Sequence, residues 1–298
     1  EIRHTSAEQE GQIYIPKVNR MLLIAVLFLC LIFGSSAAIA NAYGIAVSGT
    51  MLVTTTMAFF VVWKVWKKNI FLTLAIIMPL FIIESVFFGA NLTRVFQGGF
   101  VPLLMSSMLT LMMLIWIAGS RYLFRQTHND TVSLSDLMEK LDRAPLPVVE
   151  GTAIFLTSDP VNAPVALMQN IRHNKVLHRH NVVLTILNSH VPKIPDSQRA
   201  VIDCLSSNMT RVIISFGFME TPDVPRALTV ARGQGLDVDL DGASYFLGRR
   251  TIVADPKRGL PLWQDYIYIG MARGASNATD FYRIPYDQVV ELGVQMAV

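Results

Sequence analysis

The chain has 298 residues, 52% of them hydrophobic and 16% charged, with a mean hydropathy of +0.43. That charged fraction lies well under the roughly 25% of soluble domains and excludes a uniformly soluble protein. The formal net charge of +3 lacks the basic footprint of a nucleic-acid binder, and Cys30 and Cys204 cannot build a disulfide framework, as fits a reducing cytosol.

Charge is unevenly spread. Between residues 70 and 89 the only ionisable side chain is Glu84, and between 100 and 120 there is none. From residue 130 onward, charges return at ordinary density. A membrane part, residues 1–126, is therefore expected to precede a soluble domain at 151–298, with a linker helix within 127–150. The chain opens at Glu1 without an initiator methionine or a signal peptide, which predicts that it is the C-terminal part of a longer protein.

A spanning helix needs about 20 mainly apolar residues. Four stretches meet this: 20–38, 43–63, 71–90 and 101–122, with Asn41 marking a turn between the first two. Arg3, Lys17 and Arg20 precede the first span, Lys64, Lys67 and Lys68 follow the second, and Arg121 and Arg125 follow the last. The opposite loops carry only Arg94. By the positive-inside rule both termini are cytoplasmic. Trp63 and Trp66 fall where an aromatic belt is expected.

In the second span, Ala42/Ala46 and Gly44/Ser48 are small residues at helical spacing, followed by Gly49. Close helix packing accounts for them more simply than an ion-lining role. The hydroxyls of Thr54, Thr55 and Thr56 are expected to bond back to their own helix. Glu84 lies deep in the third span, where a charge costs about 2.5–3.5 kcal/mol on insertion scales. Such a residue either carries protons or is tied to a neighbouring helix. Residues 97–102 (QGGFVP) read as an outer turn, with Pro102 in the first turn of the last helix.

The soluble part begins with a capped helix after Ser133. Strands are predicted at 152–157 (TAIFLT), 181–187 (NVVLTIL), 210–216 (TRVIISF), 244–254 and 288–295. Helices are predicted at 164–176, 224–232 and 262–275. This alternation predicts an α/β domain. His173, His178, His180 and His190 match no zinc spacing and read as solvated residues near helix ends, so no metal site is expected. Gly233-Gln234-Gly235 reads as a helix stop, not a phosphate loop. Arg249, Arg250, Lys257 and Arg258 form a basic group that would suit an anionic nucleotide or a lipid headgroup, against the simpler reading of a solvated strand edge. No catalytic constellation is recognisable, so no enzyme activity and no cofactor are expected.

Several motifs resemble, in order, the Kup/HAK/KT potassium uptake family. They are residues 2–6 (IRHTS), 11–16 (GQIYIP), 42–51 (AYGIAVSGTM), 90–92 (ANL), 98–102 (GGFVP), 173–178 (HNKVLH), 281–285 (FYRIP) and 289–293 (VVELG). The set runs over nearly the whole chain. The resemblance implies a potassium–proton symporter of the bacterial inner membrane. Its fold would be an α-helical membrane bundle of the amino acid–polyamine–organocation superfamily, followed by a cytosolic α/β domain. This chain would supply the last helices and that domain. Potassium and protons would be the transported ions, with the potassium ligands on missing N-terminal helices of the same protein. Glu84 resembles an acidic residue often found in the family's penultimate span, and Ser48 stands where relatives often have Thr. Expected partners are membrane lipid, those missing helices, a second copy in a homodimer and a nucleotide regulator, with no nucleic acid. The rival reading is a membrane-anchored sensor whose α/β domain binds a nucleotide or a partner.

Overall fold

The computed structural model describes residues 3–129, 132–253, 261–274 and 278–297. Two compact units emerge. One comprises residues 15–114; the other joins residues 1–14 to 115–298.

A short antiparallel hairpin, β1 (Arg3–His4) and β2 (Ile13–Tyr14), opens the chain. The helical unit follows with α1 (Pro16–Phe33), α2 (Ser36–Phe60) and α3 (Ile70–Leu92), and then the start of α4 (Phe100–Asn129). Among the described residues, four helical stretches are long and apolar enough to cross a membrane: Pro16–Phe33, Ser36–Val65, Ile70–Leu92 and Phe100–Arg125. Most of their large apolar side chains are exposed, which suits lipid or further helices and not water.

The first helix stops earlier than the expected 20–38, because Gly34 takes a left-handed conformation at φ 59° and caps it. Ser35 then accepts a hydrogen bond from the Ala38 amide and starts α2. Asn41 consequently lies inside α2 and marks no turn. A five-residue π-turn, Val61–Val65, extends α2, with Lys64 Nζ 4.7 Å from the Trp63 ring centre. Asn69 caps α3 through the Phe71 amide.

The second unit is built on a six-stranded sheet in the order β5-β6-β4-β3-β7-β8. In chain order its elements are α5 (Leu134–Arg143), β3 (Val148–Thr157), α6 (Val165–Gln169), β4 (Leu177–Ser189), β5 (Ala200–Ser206), β6 (Met209–Gly217), α7 (Val224–Gly233), β7 (Ser244–Val253), α8 (Leu262–Arg273), α9 (Ala278–Phe281) and β8 (Val289–Ala297). Every pairing is parallel except that of the edge strand β5 with β6.

Alternation along the strands fills two cores. Ile154, Val182, Leu184, Val212, Ile214, Tyr245 and Leu247 meet α7 on one face. Ala153, Phe155, Val183, Met209 and Phe246 meet α5 and α6 on the other. Each fully buried aliphatic or Phe side chain contributes about 1.5–3 kcal/mol.

The stretch expected to be a linker is not one throughout. Leu134 and Leu137 of α5 are buried in the second core, and β3 already begins at Val148. The apolar stripe at Leu134, Leu137 and Leu141 is what docks it. Gly151 sits at a bulge between β3 and β4 with φ 107°, a conformation a side chain would strain. The helix predicted at 164–176 is α-helical only to Gln169 and finishes as a π-turn, Asn170–Asn174, with Lys175 left-handed. Strand β5 has no counterpart among the predicted elements.

The N-terminal hairpin belongs to this unit. His190 Nδ1 lies 2.8 Å from Glu10 Oε2, and the His4 ring packs 5.3 Å from that of Phe218.

Candidate ion-pathway site

Helices α2 and α3 run antiparallel and meet along one face. Gly44 and Ser48 pair with Asn91, Gly49 lies opposite Phe88, and Thr55 pairs with Glu84. Asn91 Nδ2 donates to the Gly44 carbonyl and to Ser48 Oγ, each at 3.3 Å. Ser48 Oγ itself donates to the Gly44 carbonyl at 2.7 Å. A Cβ on Gly44 would stand 2.8 Å from Asn91 Oδ1, and one on Gly49 3.5 Å from the Phe88 ring. Where the last helix begins, a Cβ on Gly99 would stand 2.1 Å from Ile45 Cδ1, and Ile45 is buried.

Further along the same face Thr55 Oγ1 donates to Glu84 Oε1 at 2.9 Å. Glu84 Oε2 is buried and has no hydrogen-bond partner among the described residues. Leaving a buried carboxyl oxygen without a partner is energetically costly. Beside the pair opens a cleft of about 400 Å³, bordered by Tyr43, Val47, Thr50 and Thr54 of α2. It is mostly apolar, with hydroxyls and one carboxyl as its polar groups.

The three consecutive threonines do not behave alike. Thr54 and Thr56 bond back to the carbonyls of Thr50 and Leu52, as the sequence leads one to expect. Thr55 instead reaches across to Glu84. The signal was in the spacing: Gly44, Ser48 and Thr55 lie four and then seven residues apart, on one helical face. Asn91 was missed as a polar partner because an amide in an apolar run has no periodic signature of its own.

The basic group at the other end of the chain is not brought together by the described residues. Arg249 Nη1 lies 2.7 Å from Glu291 Oε2 on the neighbouring strand. The side chain of Arg250, and Lys257 and Arg258 altogether, lie outside the described residues. The histidines are also dispersed. His173 is in the π-turn after α6, whereas His178 and His180 lie on β4, not at a helix end. Among the described residues no group of metal-ligating side chains converges. Burial pushes the His178 imidazole below its ordinary value, and its Nδ1 is buried without a partner among the described residues. Contact with Glu10 pushes His190 up.

Among the described residues of the α/β domain, the buried Arg199 anchors a charge network. Arg199 donates to Glu220, to Asp196 and to the Ile194 carbonyl. Glu220 also accepts the Gly217 and Ile194 amides. Burial alone would raise the Glu220 carboxyl, but Arg199 and the two amides outweigh it and hold it below its ordinary range.

Comparison with known proteins matches residues 1–121 to the integral membrane domain of K+ potassium transporters and residues 150–298 to their C-terminal domain. The probable potassium transport system protein Kup 3 of Bradyrhizobium sp. (strain BTAi1) is 45% identical over all 298 residues, which cover 47% of that protein. The probable potassium transport system protein Kup of Caulobacter vibrioides (strain NA1000) is 45% identical, with 45% of its length covered. Kup 1 of Mesorhizobium japonicum is 43% identical, with 47% covered. The chain thus spans about half the length of the curated relatives it matches. Four apolar helices followed by a mostly parallel α/β sheet, with matches to both domains and 45% identity to relatives over the whole chain, place the chain in the Kup/HAK/KT potassium transporter family.

Proposed function

We propose that the protein carrying this chain takes up potassium across the bacterial inner membrane in symport with protons. The relatives named for potassium transport support the substrate. The observation that carries the proton role is Glu84, held by Thr55 through one oxygen, its other oxygen buried and open to a proton beside the cleft. A carboxyl that alternates between neutral and charged forms at the α2–α3 face would couple proton movement to helix rearrangement. Gly44, Ser48 and Gly49 let the two helices approach closely enough to form that pair.

The lysines after α2 and the arginines ending α4 support an orientation with both ends of this chain cytoplasmic. The potassium ligands belong, in this account, to helices outside the chain. The α/β domain regulates or dimerises. An anionic nucleotide would enter beyond the carboxyl ends of β3 and β7, where the strand order reverses. Arg250, Lys257 and Arg258 are the basic residues nearest in sequence to that end, since Arg249 is engaged by Glu291. The sensor reading is not favoured, because the relatives are named for transport.

Rubidium uptake by the complete protein, in cells without their own potassium importers, tests the proposal. Uptake lost on collapsing the proton gradient supports it. Uptake indifferent to that gradient removes the symport, and none by an inserted protein removes transport.

A further inference from the structure

Helix α8, LWQDYIYIGMAR, is apolar on two faces. One face is accounted for. Tyr268 and Ile269 are buried, and the Tyr268 ring lies 5.4 Å from that of Trp116 on α4. A Cβ on Gly119 would stand 2.5 Å from the Tyr268 ring, so α8 sits in a notch on α4 that only glycine leaves open. Ile115 and Leu123 complete this small core.

The other face is exposed, and it is not polar. Leu262, Trp263 and Tyr266 are 45%, 50% and 69% exposed. Gly270 and Arg273 continue the same stripe at helical spacing. The helix's one acid, Asp265, is buried, so the outer face carries no negative charge. Two aromatic residues and a leucine in water would be an unexplained cost of burial forgone.

The place where α8 sits explains them. Residues 116–123 are the end of a helix whose apolar span runs Phe100–Arg125. Exposed Arg121 and Arg125 mark the level of the headgroups there. A helix seated against that stretch lies at the membrane–water boundary. Trp and Tyr are the residues enriched at that depth, and Arg273 beside them suits anionic headgroups.

We propose that α8 is an interfacial helix, and that Leu262, Trp263 and Tyr266 bed into the boundary between headgroups and acyl chains. The occupant of this face is the lipid surface. The α/β domain is thereby held to the bilayer beside the last membrane helix, through a contact separate from the chain connection at residues 126–133.

The test uses the complete protein in vesicles of phosphatidylethanolamine and phosphatidylglycerol, with its native cysteines replaced. Nitroxide labels are placed at Trp263→Cys and Tyr266→Cys. Collisions with oxygen, which partitions into lipid, should exceed those with a water-soluble nickel chelate at both positions. Nickel collisions in excess would overturn the proposal, because the face would then be in water. A label shielded from both reagents would overturn it too, showing that a second copy or another part of the protein covers α8. If the labelled variants fail to insert, quenching by brominated lipid gives the same answer in unlabelled protein. Trp263→Phe should remove part of that quenching, and an unchanged quenching signal would refute lipid contact at this residue.

Discussion

Thr55 Oγ1 lies 2.9 Å from Glu84 Oε1, so a threonine flanked by two that serve their own helix serves the neighbouring one instead. The bond fixes one carboxyl oxygen and leaves the other buried and unpartnered among the described residues. The small residues of α2 set the approach of the two helices, and the approach sets the pair.

Thr55→Val keeps the side chain's volume and removes the donor. It should cost about 1–3 kcal/mol in stability, because Glu84 loses its one partner among the described residues. Rubidium uptake should fall and its pH dependence should move. Thr55→Ser should keep both. A valine variant with a normal pH profile would separate Thr55 from the proton step.

Gly44→Leu should separate α2 from α3. Even a Cβ would stand 2.8 Å from Asn91 Oδ1. Ala is expected to be tolerated if the Asn91 amide turns aside, whereas Leu should cost at least the roughly 1–3 kcal/mol of overpacking. Thermal unfolding of the purified complete protein reads the order Gly, Ala, Leu.

Breaking the Arg199–Glu220 pair should weaken the α/β domain by about 3–5 kcal/mol, since the surviving charge stays largely buried. Arg199→Ala leaves Glu220 with the Gly217 and Ile194 amides alone. Chemical unfolding of the complete protein, followed by a probe in the α/β domain, measures the loss. The folded Glu220 carboxyl is held below its ordinary range. Its stabilisation is therefore present above the unfolded pKa and lost as pH falls through the folded one.

Two histidines act with opposite sign. His178 is pushed below 6.5 by burial, so the unfolded chain takes up a proton first and stability falls as pH drops below that value. His190 is pushed above 6.5 by Glu10, so its contribution is present below 6.5 and lost as pH rises through the folded pKa. His178→Leu should flatten the decline in the α/β domain's stability between neutral pH and about pH 5. His190→Ala should instead remove a stabilisation seen only on the acid side.

Much of this arrangement is legible from residues alone, for identifiable reasons. The spans show because charge is missing over long runs, and the parallel strands because buried strands read as apolar blocks such as TAIFLT and NVVLTIL. Strand β5, AVIDCLS, escapes because it is an antiparallel edge strand, and Asp203 answers Arg211 across the pair. Helix α5 reads correctly as a capped helix, yet its burial depends on sheet residues far along the chain. The boundary between α1 and α2 was carried by Gly34-Ser35, a cap signal hidden within a run of small residues. Glu84 stands out in the sequence, but its partner does not, since side-chain direction separates Thr55 from Thr54 and Thr56.

The proton role of Glu84 is the central claim, and rubidium uptake by the complete protein with Glu84→Gln tests it most directly. In cells lacking their own potassium importers, the unaltered protein should accumulate rubidium until the proton gradient is collapsed. The glutamine variant, shown to be inserted, should lose most of that uptake along with its pH dependence. Uptake by Glu84→Gln at the normal level with a normal pH profile would contradict the account.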